Sequence, residues 1–133
     1  RWWPLLALVG ALGCGEKEGA PGAPGTSEQG ADLSAVLARV GNAAAFETTA
    51  ARPYAALGCM RGLVEELDVL VCHYADAGAA EAATKSLNEF VAGALTGIVR
   101  KSGSDLIAIA DRKEVDPKGE RISRLAKAFT AAP

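Results

Sequence analysis

The strongest constraint on the fold is an apolar run, Leu106-Ile-Ala-Ile-Ala110, that follows the turn signal Ser102-Gly103-Ser104. A run that is apolar at every position favours a strand buried on both faces of a sheet. The arm before the turn, residues 94–101, mixes apolar residues with polar and charged ones. We therefore expect a hairpin of residues 94–101 and 105–111, with the second arm central and the first at an edge.

A further strand and two helices are predicted around this hairpin. Leu67–Tyr74 is rich in branched apolar residues, which favours a strand. Asp76 can cap a helix over residues 77–91, and Asp116-Pro117 can open a last helix. The inward positions of the two helices are Ala80, Ala83, Leu87, Phe90 and Val91 in the first, and Ile122, Leu125, Ala126 and Phe129 in the second.

Before residue 67 the sequence predicts a helical region in which residues 43–52 remain ambiguous. Asp32 can cap a helix with the apolar stripe Leu33, Val36, Leu37 and Val40, and Pro53 suits the first turn of a short helix running through Tyr54, Leu57 and Met60.

The predicted fold class is α+β: a small antiparallel sheet in β-α-β-β-α order with an N-terminal helical region. Its three strands take the order 2-3-1, and the arrangement resembles a ferredoxin-like half that lacks its final strand. We expect the two helices to pack on one face of the sheet. The N-terminal helical region then covers the other face or leaves it exposed to a partner.

The first residues of the chain are typical of a secretion signal. Arg1 is the only charge before Glu16, and residues 2–12 form an apolar run too short to span a bilayer. The following Ala11-Leu12-Gly13-Cys14 resembles the lipobox of bacterial lipoproteins. That resemblance implies that residues 1–13 are a signal peptide, and that Cys14 carries lipid, including a palmitate-type acyl chain, and anchors the protein in the membrane.

The same resemblance gives an expected location. In many such lipoproteins an Asp after the cysteine retains the protein in the inner membrane, and this chain has Gly15 there. We therefore expect the periplasmic side of the cell envelope, with the outer membrane favoured over the inner. Residues 14–31 are mainly Gly, Ala, Pro and polar residues, typical of a flexible tether with a reach of roughly 20–24 Å. Residues 32–133 form the single predicted periplasmic domain.

Two cysteines remain beyond the anchor, Cys59 and Cys72. An exported protein lies in an oxidising compartment, so the first interpretation is a disulfide bond. The alternative is a soft-metal or thiol-redox site in which Met60 and His73 join the two thiolates. Cys72 and His73 would point to opposite faces of a regular strand, which disfavours a shared ion.

The composition excludes some function classes. The formal net charge is −2 and the basic residues are scattered, so a nucleic-acid interface is not expected. The chain contains none of the common nucleophile, zinc, dinucleotide or phosphate-loop motifs. The sequence therefore predicts a binding or scaffolding domain with a possible periplasmic protein partner, no cofactor and no enzymatic activity. The alternatives are a metal-binding or thiol-redox lipoprotein and a small envelope enzyme.

Overall fold

The computed structural model describes residues 33–41 and 43–131, which form one five-stranded sheet and three helices. Helix α1 covers residues 33–40. The remaining elements, in chain order, are β1 (Phe46–Thr49), β2 (Gly58–Val64), β3 (Leu67–His73), α2 (Ala77–Val91), β4 (Thr96–Ser102), β5 (Asp105–Asp111) and α3 (Glu120–Thr130). The α+β class with a small antiparallel sheet is confirmed.

The sheet has the order β1-β2-β3-β5-β4, and all neighbouring strands are antiparallel. The predicted hairpin, its central second arm and the order of the last three strands are confirmed. The turn is shorter than predicted, because Ser102 pairs with Asp105 and leaves only two residues between the strands. Gly103 has φ of 62°, a backbone conformation that glycine adopts without steric cost.

The short helix predicted from Pro53 through Met60 is wrong in part, and residues 43–66 contribute two strands. A 3-10 helix covers only Arg52–Tyr54, and Met60 lies within β2. Glu65 and Glu66 form the turn between β2 and β3 with φ of 52° and 69°. Turns with a positive φ at both central residues usually contain glycine or asparagine. Because this turn has two glutamates instead, the sequence shows no sign of a hairpin here. The carboxylate of Glu65 accepts a hydrogen bond from Arg124 at 2.8 Å, which ties the turn to α3.

The two later helices pack on opposite faces of the sheet, which corrects the prediction of one shared face. Helix α2 covers the face formed by Leu70, Cys72, Leu106 and Ala108, here called the α2 face. Helices α1 and α3 cover the face formed by Val69, Val71, Ile107 and Ile109, here called the α3 face. Strand β5 is apolar on both faces and is buried from Leu106 to Asp111, so each face needs its own helical layer.

The start of α3 also differs from the prediction. Asp116-Pro117 does not begin the helix, which starts at Glu120 after Gly119. Asp116 still caps it from a distance, because its carboxylate accepts a hydrogen bond from the backbone N–H of Ile122 at 2.9 Å. The predicted cap of α2 is confirmed, since the Asp76 side chain accepts a hydrogen bond from the backbone N–H of Ala79 at 2.8 Å.

The predicted signal peptide, Cys14, the tether and the Asp32 cap lie outside the described residues. Within 33–41 and 43–131, no helix has the length and apolarity needed to cross a bilayer. The apolar stripe of α1 is buried as predicted, at Leu33, Val36, Leu37 and Val40.

Candidate functional site

Asp68 is a buried carboxylate in an otherwise apolar strand, and two arginines hold it. Asp68 lies on the α2 face of β3 and is 8% exposed. The guanidinium of Arg61, on β2, donates from Nε to Oδ1 at 2.9 Å and from Nη2 to Oδ2 at 2.7 Å. Arg112, just after β5, donates from Nε to Oδ2 at 2.8 Å. One carboxylate therefore binds two guanidinium groups, the arrangement in which such hydrogen bonds are strongest.

An aromatic ring from α2 supports both arginines. The guanidinium carbons of Arg61 and Arg112 each lie 4.9 Å from the centroid of the Phe90 ring, within the range of a cation–π contact. Arg112 also donates from Nη2 to the backbone carbonyl of Phe90. Tyr54 meets the edge of the same ring, with the centroids 6.5 Å apart. The last turn of α2 therefore fixes the positions of both cations.

The electrostatics of this cluster favour an ionised Asp68. Burial raises the pKa of the Asp68 carboxyl, but the hydrogen bonds and charges of Arg61 and Arg112 lower it more, so the pKa lies below its usual value. The hydrogen bond to Asp68 also outweighs burial at Arg61 and raises the pKa of its guanidinium. Asp68 and Arg61 are therefore both charged at neutral pH.

The loop that carries Arg112 is ordered by two buried aspartates. Asp111 is fully buried at the end of β5, and its carboxylate accepts hydrogen bonds from the backbone N–H groups of Val115 and Asp116 at 3.0 and 2.8 Å. Burial raises the pKa of Asp116, but hydrogen bonds from the start of α3 lower it more, and the net shift is downward. Asp111 therefore orders the loop, and Asp116 caps the start of α3.

A cavity of about 320 Å³ opens beside the cluster. Its lining consists of Arg61, Gly62, Leu63, Glu66, Asp68, Arg112 and Lys113. Leu63 is 52% exposed, although it is a large aliphatic side chain. Three cations and two carboxylates line the cavity, so it carries a net positive charge. The volume is at the lower end of the range for small-molecule sites and suits a short aliphatic group.

The sequence analysis did not select Arg61, Leu63, Asp68 or Arg112 as site residues. They lie on different elements, and only the strand register and the α2 packing bring them together. The one available signal was Asp68 itself, since a carboxylate within a buried strand requires a partner.

The predicted cysteine pair is brought together. Cys59 and Cys72 are directly opposite each other on β2 and β3, and their Sγ atoms are 2.07 Å apart, the distance of a disulfide bond. Both residues are buried under α2, with exposures of 1% and 0%. The disulfide joins β2, which carries Arg61, to β3, which carries Asp68. It therefore stabilises the pairing of the two strands that form the candidate site.

The alternative metal set is not brought together. Cys72 points to the α2 face, whereas His73, next along the strand, has its Nδ1 atom 2.7 Å from Oδ1 of Asp105. Met60 packs against the core of the α3 face. Within the part of the chain that the structure describes, no group of three or more His, Cys, Asp or Glu side chains could hold a metal ion.

Comparison with protein-family models, with curated proteins and with solved structures finds no match to this chain. The functional argument therefore depends on the geometry of the charged cavity and on the resemblance of residues 11–14 to a lipobox.

Proposed function

We propose that this chain is a lipid-anchored protein of the bacterial cell envelope whose α+β domain binds a ligand and catalyses no reaction. The anchor is Cys14, the tether is residues 14–31, and the domain lies on the periplasmic side of the membrane. The outer membrane is favoured over the inner because Gly15 follows the cysteine. The lipobox resemblance supports this part of the proposal.

The ligand that best fits the cavity has one carboxylate and one aliphatic group, as in the end or side chains of a peptide. The observation that carries this proposal is that two guanidiniums share the single carboxylate of Asp68. One positive charge is left without a partner carboxylate within that trio. Within the part of the chain that the structure describes, Arg61 and Arg112 use their Nε and Nη2 groups for hydrogen bonds, so their Nη1 groups can bind a ligand.

The aliphatic half of the ligand is assigned to Leu63. Its side chain is exposed at the cavity that Arg61 and Arg112 also line. A ligand methyl or isobutyl group placed there would remove apolar surface of both molecules from water. Charge and apolar contact together select against a simple anion such as acetate and against a neutral hydrocarbon.

The binding test uses the purified chain in detergent micelles and two small probes, 4-methylpentanoate and its neutral amide. NMR titration should show the carboxylate binding with a Kd of about 1 mM, the strength expected for a ligand of this size. Arg112→Gln should weaken this binding about tenfold, because it removes one charged donor. Lys118→Gln, a loop charge removed outside the cavity, is the matched control and should have no effect.

A second variant separates the two halves of the ligand. Leu63→Ser should weaken 4-methylpentanoate but leave the much weaker binding of acetate unchanged. Equal binding of the carboxylate and the amide, or binding that Arg112→Gln leaves unchanged, would contradict the proposed site.

The anchor is tested separately by cell fractionation. Cys14→Ser should prevent lipid attachment and release the protein from the membrane fraction or block its processing. Metabolic labelling with a palmitate analogue gives the direct measurement. A variant that remains in the membrane fraction and is cut normally would exclude the lipoprotein assignment.

A further inference from the structure

Strand β4 presents a long edge of the sheet. Among residues 33–41 and 43–131 it pairs only with β5, and it is seven residues long, whereas the opposite edge strand, β1, has four. Edge strands carry backbone N–H and C=O groups that a further strand can bind. Long edges are therefore the places where an extended peptide can extend a sheet.

The register shows which backbone groups of β4 point outward. In a hairpin with a two-residue turn, the closing pair is hydrogen-bonded, and such pairs then alternate along the strands. The closing pair here is Ser102 and Asp105. The backbone groups of Gly97, Val99 and Lys101 therefore point away from β5. The Val99 carbonyl accepts a hydrogen bond from the Arg100 side chain at 3.0 Å, an exposed local contact that an incoming N–H can replace.

A groove runs beside this edge, between β4 and α3. Its volume is about 230 Å³, and its lining consists of Ile98, Arg100, Ser123, Ala126, Lys127 and Thr130. A strand added to β4 would direct every second side chain to the α3 face, where this groove lies. Ile98 and Ala126 supply apolar contact for the methylene groups of those side chains, and Arg100 and Lys127 line the same groove.

The charge of the groove identifies the occupant. Arg100 and Lys127 line it, Lys101 is the next residue along β4, and no carboxylate is among the lining residues. The whole chain has the opposite sign, with a formal net charge of −2. A second copy of β4 paired about a two-fold axis would bring Arg100 and Lys101 of both copies together, and facing like charges destabilise a strand pair.

We propose that β4 and α3 bind an extended peptide of another protein, with acidic residues alternating with apolar ones, by strand addition to the β4 edge. The peptide backbone pairs with Gly97, Val99 and Lys101. Its carboxylates enter the groove beside α3 and meet Arg100 and Lys127, and its apolar side chains lie on the α2 face, where Val99 points. This surface does not include Arg61, Leu63, Asp68 or Arg112.

The test uses a labelled nine-residue peptide of alternating Glu and Val with blocked ends, and fluorescence anisotropy with the purified chain in detergent micelles. A Kd of about 100 µM or tighter is expected at low salt, and binding should weaken as salt rises. A peptide of alternating Lys and Val should not bind. NMR of the complex should shift the backbone amides of residues 97, 99 and 101.

Two matched pairs of variants separate charge from backbone pairing. Lys127→Glu should weaken binding about tenfold, whereas Lys85→Glu, on exposed α2, should not. Lys101→Pro and Lys101→Gln remove the same charge, but only the proline removes an outward N–H, so the proline variant should bind about fivefold more weakly than the glutamine variant.

Three results would overturn the proposal. One is equal binding of the acidic and the basic peptide, and another is equal binding by the two Lys101 variants. The third is a dimer joined through β4 that excludes the peptide, which would make a second copy the occupant. Arg112→Gln should leave peptide binding unchanged, so this proposal and the carboxylate site succeed or fail separately.

Discussion

Replacing Asp68 by Asn tests the centre of the candidate site. The substitution keeps the shape of the side chain but removes the charge that holds Arg61 and Arg112. Hydrogen bonds to a charged group contribute about 1.5–3 kcal/mol each, and the asparagine carbonyl can keep part of them. The two arginine side chains are 48% and 38% exposed, so solvent screening lowers the electrostatic share of the loss. We expect the free energy of unfolding to fall by about 2 kcal/mol.

The assay is urea unfolding of the wild type and the Asn variant across pH. Because the folded pKa of Asp68 lies below its unfolded value of about 3.9, its contribution to stability is present above that pH. The contribution is lost as pH falls through the folded pKa. The difference between the two proteins should therefore be constant from neutral pH down to about 5 and shrink below about 4.

Two controls make the result decisive. Glu81→Gln, an exposed carboxylate on α2, should change stability by less than about 0.5 kcal/mol. The Asn variant should still bind 4-methylpentanoate, and more tightly than the wild type, because its guanidiniums no longer share a carboxylate. If Asp68→Asn costs no more than the control, or if its cost grows on acidification, the buried charge cluster does not stabilise the fold as we have argued.

Three further predictions concern the framework around the site, and each is measured by urea unfolding. Replacing Cys59 and Cys72 together by Ala should cost about 3 kcal/mol, since the pair closes a loop with a sequence separation of 13, and a reductant should then have no further effect on the variant. Gly62→Ala should cost about 3 kcal/mol, because the new Cβ would lie 2.3 Å from the backbone oxygen of Ala45; no loss would mean that β1 can move away. Ile107→Ala should cost about 2–5 kcal/mol, because Ile107 is fully buried in β5, and a cost below about 1 kcal/mol would contradict its central position.

The later part of the fold could be predicted because its patterns are regular. Strand β5 is continuously apolar, α2 has a capping aspartate and a stripe of small and large apolar residues, and the turn at Gly103 contains glycine. These signals are local, and each points to the same structure as the tertiary packing. The sequence of β5 also indicated that helices pack on both faces of the sheet, because a strand that is apolar on both faces must be covered on both.

Strand β2 gave no comparable signal, and its surroundings explain why. Its residues alternate between two faces, but on the α2 face Leu63 and much of Arg61 remain exposed. An exposed arginine and leucine on one face, with Gly62 on the other, remove the expected contrast between apolar and polar positions. The exposed residues that make β2 hard to predict, Arg61 and Leu63, also line the cavity of the candidate site.

Asp68 shows how far the site itself could have been predicted. A carboxylate in a strand of six consecutively buried residues cannot stay charged without partners, so its position alone requires nearby cations. The sequence does not say which cations, because Arg61 is seven residues away and Arg112 is 44. The sheet register selects them, and Phe90 on α2 completes the cluster. An acid that interrupts a buried strand is thus a sequence signal for a charged site, and the fold decides its chemistry.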